Sequence, residues 1–109
     1  MEGQFHKKLS LIKNDHGNVV GVVISGPITW GDHEASARIG AVITQNSVAA
    51  SGITQNDVHF PVGDWLFAVA VEDDALHEGY ATGEATAEVR AADGSTTKVS
   101  WTTPEITLS

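Results

Sequence analysis

The chain has 109 residues, which is the size of one ordinary domain, and it contains no cysteine. Disulfides, thiolate zinc sites and cysteine nucleophiles are therefore excluded. The 14 acidic residues outnumber the 6 Lys and Arg residues and give a net charge of −8. Such a field repels nucleic-acid phosphates and anionic membrane surfaces, so we expect neither as a partner.

No membrane span and no secretion signal are expected. No stretch is long and apolar enough to cross a bilayer, and the start of the chain lacks the apolar segment of a signal peptide. The sequence leaves the compartment undetermined, because a cysteine-free chain folds equally well inside or outside a cell.

Three stretches in the first half of the chain predict β-strands. Residues 4–13 alternate apolar and polar side chains, which predicts a strand with one polar face. Residues 18–25, NVVGVVIS, are apolar on both faces and predict a central, buried strand. Gly26-Pro27 ends that run, so residues 28–34 are predicted to form a loop. Residues 35–45 then alternate cleanly, with every second side chain small or apolar.

The middle of the chain repeats one short pattern. ITQNSV at residues 43–48 returns as ITQNDV at residues 53–58. Asn tolerates left-handed backbone angles, so each copy is interpreted as a strand end that runs into an Asn-led turn. Residues 48–53 are predicted to form either a short strand bulged at Gly52 or one helical turn.

Residues 65–71, WLFAVAV, contain only apolar side chains. They are too apolar for an edge strand and predict a second central strand, with Trp65 in the core. A type I turn is predicted just before them, over residues 60–63. The acidic connection at residues 72–78 could hold one helical turn.

The last third of the chain predicts a hairpin. Residues 80–91 and 96–103 alternate on either side of Asp93-Gly94, which is a strong hairpin turn signal. One face of residues 80–91 carries mainly small side chains, which would let a second sheet or a neighbouring subunit approach closely. The stretch YATGEATAEVRAADGSTTKVSW resembles a hairpin of an immunoglobulin-like sandwich, and Trp101 on it is a second predicted core residue.

The whole pattern predicts one all-β domain over residues 1–109. About seven or eight short strands recur at intervals of roughly ten residues, with turn signals between them. This spacing favours an antiparallel two-sheet sandwich, immunoglobulin-like or similar, and a small β-barrel is the alternative.

Three groups of residues are candidate sites. Trp30, Asp32, His33 and Glu34 share one predicted loop, where an exposed indole beside polar groups could stack on a sugar ring. Asp57 and His59 would point the same way in a strand and could form two ligands of a zinc site completed by His33 or His77. Asp73 and Asp74 belong to the densest acidic stretch and could help to bind calcium.

No catalytic motif is present, which favours a non-enzymatic role. The first hypothesis is therefore a β module that acts by protein–protein binding or self-assembly, with a protein partner or with copies of itself, and that needs no cofactor. The second is a carbohydrate-binding module that uses the Trp30 loop, with or without calcium. The third is a metal-dependent enzyme built on Asp57 and His59.

Overall fold

The computed structural model describes all 109 residues and shows an all-β protein without helices. Nine strands form a mixed sheet that is not closed into a barrel. The strands are β1 (Glu2–Gly3), β2 (Lys8–Lys13), β3 (Val19–Thr29), β4 (Glu34–Gln45), β5 (Val48–Ile53), β6 (Val58–His59), β7 (Asp64–Ala70), β8 (Gly79–Ala91) and β9 (Thr96–Leu108). The all-β prediction is confirmed and the barrel alternative is wrong. Because the chain forms no helix, none is available to cross a membrane.

Strand β3 is central to one half of the sheet. It pairs with β7 along one edge and with β1 and β2 along the other. The other half has the order β9-β8-β4-β5, with β6 also paired to β4. The two halves are joined only where β2 runs parallel to β9, through the pairs Lys8–Thr107 and Leu9–Leu108. Every other strand pair is antiparallel, so the antiparallel prediction is wrong for this pair alone.

One core of 20 buried residues joins both halves of the sheet. Its centre is Trp65, which is 1% exposed, as the sequence predicted. The Trp65 ring meets Phe5 and Trp101 edge-to-face, with centroid distances of 5.5 and 5.9 Å. Small residues on β8 leave space for the large core side chains. A Cβ atom on Gly83, for example, would collide with Phe5 and Ile106. The small-residue face of β8 therefore serves internal packing.

The Gly26-Pro27 pair does not end β3, contrary to the sequence prediction. The strand continues to Thr29, because the loss of the proline N–H is accommodated on the β1 side. Gln4 N–H donates to Pro27 C=O at 3.2 Å, and Gln4 C=O, which would face the missing N–H, accepts the Trp65 Nε1–H at 3.2 Å instead. A side chain on Gly26 would overlap this Gln4 carbonyl, so the position requires glycine.

The predicted central position of β7 is wrong, because β7 pairs with β3 alone and is an edge strand. The apolar side chains of β7 lie on both faces of the strand. Trp65 and Phe67 are buried on the inner face, whereas Leu66, Ala68 and Ala70 are exposed on the outer face. A strand with two apolar faces has the same sequence pattern whether or not both of its edges are paired.

Several turn predictions also need correction. The turn before β7 spans residues 59–62, where Val62 N–H donates to His59 C=O, and the Phe60–Pro61 bond is cis. This placement of Pro61 belongs to a type VI turn and not to the predicted type I turn. The connection at residues 72–78 has no helical turn, and β5 has no bulge at Gly52.

The two copies of the ITQN pattern differ in conformation. Asn46 and Ser47 have φ angles of 48° and 69° and form a two-residue hairpin turn between β4 and β5, as expected for a type I′ turn. Asn56 and Asp57 lie in the bend between β5 and β6 and do not have positive φ. Only the first copy is therefore a hairpin.

We expect Gly26→Ala to destabilise the protein by about 2 to 3 kcal/mol, because the added methyl group overlaps the Gln4 carbonyl in a packed core. Gly40→Ala is the matched control, since its nearest neighbour is Gly52 C=O at 3.6 Å. It should be neutral or up to about 1 kcal/mol stabilising. Urea unfolding of both variants checks this, and equal stabilities would contradict the assigned packing.

Candidate functional site

The Trp30 side chain is half-buried and held by the segment that follows β6. Its Nε1–H donates to Val62 C=O at 2.6 Å, and its ring meets Phe60 edge-to-face with a centroid distance of 6.1 Å. Asp32 and His33 are exposed in the turn beside it, and His33 has a φ of 65°. The indole is therefore engaged in packing within the protein.

Glu34 binds groups of its own chain with both carboxylate oxygens. Its Oε2 accepts from the Met1 ammonium at 2.7 Å, and its Oε1 accepts from Gly31 N–H at 2.6 Å. Burial raises the pKa of Glu34, but the bonds from the ammonium and from Gly31 outweigh this effect and leave the pKa below its ordinary value. Of the four candidate residues in this loop, only Asp32 and His33 remain exposed for a ligand.

Asp57 and His59 do not form the expected pair of ligands. Strand β6 begins at Val58, so Asp57 precedes it and the strand geometry that would align the two side chains does not extend to it. Asp57 Oδ1 instead accepts from Arg38 Nε at 3.3 Å. No group of three or more His, Asp or Glu side chains in the protein is arranged to hold a metal ion.

Asp73 and Asp74 attach the acidic connection to the start of β3. Asp74 Oδ1 accepts from Val19 N–H at 2.9 Å, and Asp74 N–H donates to Val19 C=O at 2.8 Å. Asp73 Oδ2 accepts from Asn18 Nδ2 at 3.4 Å. These carboxylates therefore satisfy polar groups of the neighbouring strand and do not converge on a shared point.

Exposed apolar side chains define a site that the sequence did not reveal. Ile53, Phe60, Val62 and Leu66 are exposed by 54%, 56%, 46% and 62% of their surface. The protein has only two other large exposed apolar side chains, at distant positions in the sequence. These four residues lie within 14 positions of the sequence and are called the 53–66 surface, and large exposed apolar side chains mark candidate protein interaction sites.

The free edge of β7 adjoins this surface. Val71 N–H donates to Val20 C=O at one end of the β3–β7 pair, and the bonds alternate along an antiparallel pair. In this register the odd-numbered residues of β7 bond to β3, and the main-chain groups of Leu66, Ala68 and Ala70 point away from it. No strand or side chain pairs with these outward groups.

Two grooves follow the β7 edge. One has a volume of about 420 Å³ and lies between residues 54–58 and residues 66–68 of β7. The other, of about 390 Å³, lies between residues 48–51 of β5 and residues 69–75. Strands β5 and β7 approach each other without hydrogen bonding, and Gly52 faces Phe67 between the two grooves.

Acidic residues outnumber basic residues around these grooves. Residues 39–89 contain no Lys or Arg. Their acidic residues are Asp57, Asp64, Glu72, Asp73, Asp74, Glu78, Glu84 and Glu88. Arg38 pairs with Asp57, with Arg90 beside them, and Glu72 lines the second groove. The β7 edge is therefore apolar in the middle and acidic at its ends.

A third concavity separates the N-terminal segment from β9. It has a volume of about 530 Å³ and is lined by residues 2–5, Lys7 and residues 99–103. Trp101 forms part of its wall, and the indole Nε1–H of Trp101 is buried without a hydrogen-bond partner. Hydroxyl, amide and aromatic groups thus meet in this cleft.

Comparisons with known proteins found no matching family model, no matching curated protein and no matching solved structure. The site is therefore interpreted from its own geometry.

We expect Glu34→Gln to lower the free energy of unfolding by about 1 to 2 kcal/mol at neutral pH, because it weakens two charge-assisted hydrogen bonds. The folded-state pKa of Glu34 is lowered, so this contribution is present above the unfolded-state pKa and is lost as pH falls through the folded-state pKa. The difference between the variant and the wild type should therefore shrink as the pH falls below the ordinary pKa of a glutamate and through the lowered folded-state pKa.

Urea unfolding at several pH values measures this difference. Asp32→Asn is the matched control, because Asp32 is exposed in the same loop. A Glu34→Gln effect that does not change with pH would contradict the role of the charge.

Proposed function

We propose that this chain is a non-enzymatic protein-binding module built as an immunoglobulin-like two-sheet sandwich. Support for the architecture comes from the strand neighbours, β7-β3-β2 on one side and β9-β8-β4-β5 on the other, joined by a single two-residue parallel pairing. Binding modules of this kind present loops and strand edges from a rigid core.

The observation that carries the proposal is the 53–66 surface. Monomeric proteins rarely keep several large apolar side chains exposed in one region, because each exposed side chain forgoes burial worth about 1.5 to 3 kcal/mol. Phe60 is supported from below by Trp30, and Leu66 borders the groove that contains Val58. Aromatic and large aliphatic side chains on a supported surface are typical anchors of protein interfaces.

The charge favours a different protein as partner over a second copy. A copy of this chain would also carry −8, with Asp57 and Asp64 close to the same surface. Two such copies repel each other at ordinary ionic strength. A partner with basic residues around an apolar centre would be attracted instead.

We expect peptides selected from a random phage-displayed library on the wild-type protein to depend on the 53–66 surface. Phe60→Ser and Leu66→Ser should each weaken binding at least about tenfold, which corresponds to about 1.4 kcal/mol, because each removes an apolar anchor. Titration calorimetry with the selected peptides measures the effect.

Tyr80→Ser is the matched control, because Tyr80 is equally exposed but lies on β8. The Tyr80→Ser variant should bind the selected peptides with the wild-type affinity. The proposal fails if the selected peptides bind Phe60→Ser and Leu66→Ser as tightly as the wild type. Light scattering over a concentration series adds an independent check, since strong self-association would favour a second copy as partner.

Carbohydrate binding is a second candidate, supported by the cleft beside Trp101 and no longer by the Trp30 loop. Sugar sites combine an aromatic ring with hydroxyl and amide groups, and Trp101, Gln4 and Thr102 provide these groups.

For this candidate we expect binding on a glycan array that Gln4→Ala and Thr102→Ala each weaken about tenfold, through the loss of a hydrogen bond to the sugar. Thr82→Ala is the control, because Thr82 is an exposed threonine on β8 outside the cleft. An array without any binding glycan would reject the candidate.

A further inference from the structure

We propose that the free edge of β7 binds an extended, cationic segment of a partner protein by adding it as a further strand of the sheet. This inference rests on the protein-binding function proposed above and specifies the mode of binding and the chemistry of the partner. It follows from the main-chain groups, the neighbouring grooves and the charge of this edge.

The main-chain groups of β7 provide a template for a strand. The N–H and C=O groups of Leu66, Ala68 and Ala70 point away from β3 and have no partner. An added strand lies about 4.8 Å from the edge and pairs with alternate residues. All three residues therefore offer both a donor and an acceptor to the same extended segment.

The edges of the sheet differ in their protection against such pairing. Residues 96–105 of β9 also lack a partner on their outer side, but Lys98 and Pro104 lie within this stretch. Charged side chains, especially Lys, and Pro are the usual devices that keep an edge strand from pairing with other chains. Strand β7 contains neither Lys nor Pro, and only Asp64 at its start is charged. Strand β5, at the other end of the strand order, also lacks Lys and Pro, so the groove along residues 66–68 and the charge of Asp64 distinguish β7 from it.

The grooves provide room for the side chains of the added strand. Strand β5 ends at Ile53, so the first half of the β7 edge faces the irregular residues 54–56 and Val58 of β6 across the groove of about 420 Å³. This groove contains Val58 and Phe67. Successive side chains of a strand point to opposite faces, so alternate residues of the partner would enter the groove and should be apolar.

Charge specifies the remaining positions of the partner segment. Asp64 lies at the start of β7 and Glu72 lies just beyond its end, and neither takes part in an ion pair, whereas Asp57 pairs with Arg38 and lies beside Arg90. Opposite charges across an interface attract the correct partner and repel the wrong one. The partner should therefore carry Lys or Arg at the positions that do not enter the groove.

The test uses two octapeptides as probes, one of alternating Val and Lys and one of alternating Val and Glu. Fluorescence anisotropy should detect binding of the Lys peptide at least about tenfold tighter than of the Glu peptide. The Lys peptide should also slow amide hydrogen exchange at Leu66, Ala68 and Ala70 at least about tenfold, because these amides become hydrogen-bonded. Equal binding of the two peptides would reject the proposed charge of the partner.

An N-methylated peptide separates strand addition from attraction by charge alone. A Lys peptide with N-methyl groups on every residue keeps its charge but cannot donate to β7 along either of its edges, and it should bind at least about tenfold more weakly. Equal binding of the N-methylated and unmethylated peptides overturns strand addition, and this comparison needs no protein variant.

The protein variants locate the edge that is used. Ala68→Pro removes an outward N–H from β7 and leaves its bonds to β3 intact, so it should abolish the protection of the neighbouring amides. Ser100→Pro makes the same change at the outer edge of β9 and should leave binding unchanged. Loss of binding in Ser100→Pro alone would move the site to β9 and reject the assignment.

These outcomes are distinct from a failure of the protein-binding function. If Phe60→Ser and Leu66→Ser weaken the phage-selected peptides while neither octapeptide protects the β7 amides, the 53–66 surface binds partners by another mode. If the selected peptides are unaffected by both variants, the underlying function itself is rejected.

Discussion

The buried indole of Trp65 is the contact on which the strand arrangement depends. It packs edge-to-face on Phe5 and Trp101 and so joins β7 to the N-terminal segment and to β9. Its Nε1–H donates a hydrogen bond to the Gln4 carbonyl, which receives none from Pro27 because proline has no N–H. A buried unpaired polar group costs about 1 to 3 kcal/mol. The Trp65 indole therefore stabilises this junction in two ways, by packing in the core and by donating a hydrogen bond to the Gln4 carbonyl.

The same residue determines the exposed surface of β7. With Trp65 and Phe67 directed into the core, the alternation of a strand places Leu66, Ala68 and Ala70 outside. Those side chains are apolar as well, and no strand covers the edge beside them. An uncharged edge next to an exposed apolar surface is a liability for a protein that works alone. It is explained if another protein covers it.

Most of the polar clusters that look functional in the sequence stabilise the fold instead. Glu34 accepts a hydrogen bond from Gly31 N–H, Asp74 accepts one from Val19 N–H, and Asp57 pairs with Arg38. Short acidic side chains next to strand ends commonly satisfy main-chain donors that no strand pairs with. Asp64 and Glu72, at the two ends of β7, take part in no ion pair.

The sequence by itself determined the all-β class, the strands near residues 35–45 and 80–91, the hairpin at Asp93-Gly94 and the burial of Trp65, because these depend on local alternation and turn chemistry. The tertiary structure decided which strands are neighbours. It made β7 an edge, continued β3 through Pro27 and left the four side chains of the 53–66 surface exposed. Alternation reports which faces of a strand are apolar, but the pairing of its edges depends on main-chain groups that are the same in nearly every residue.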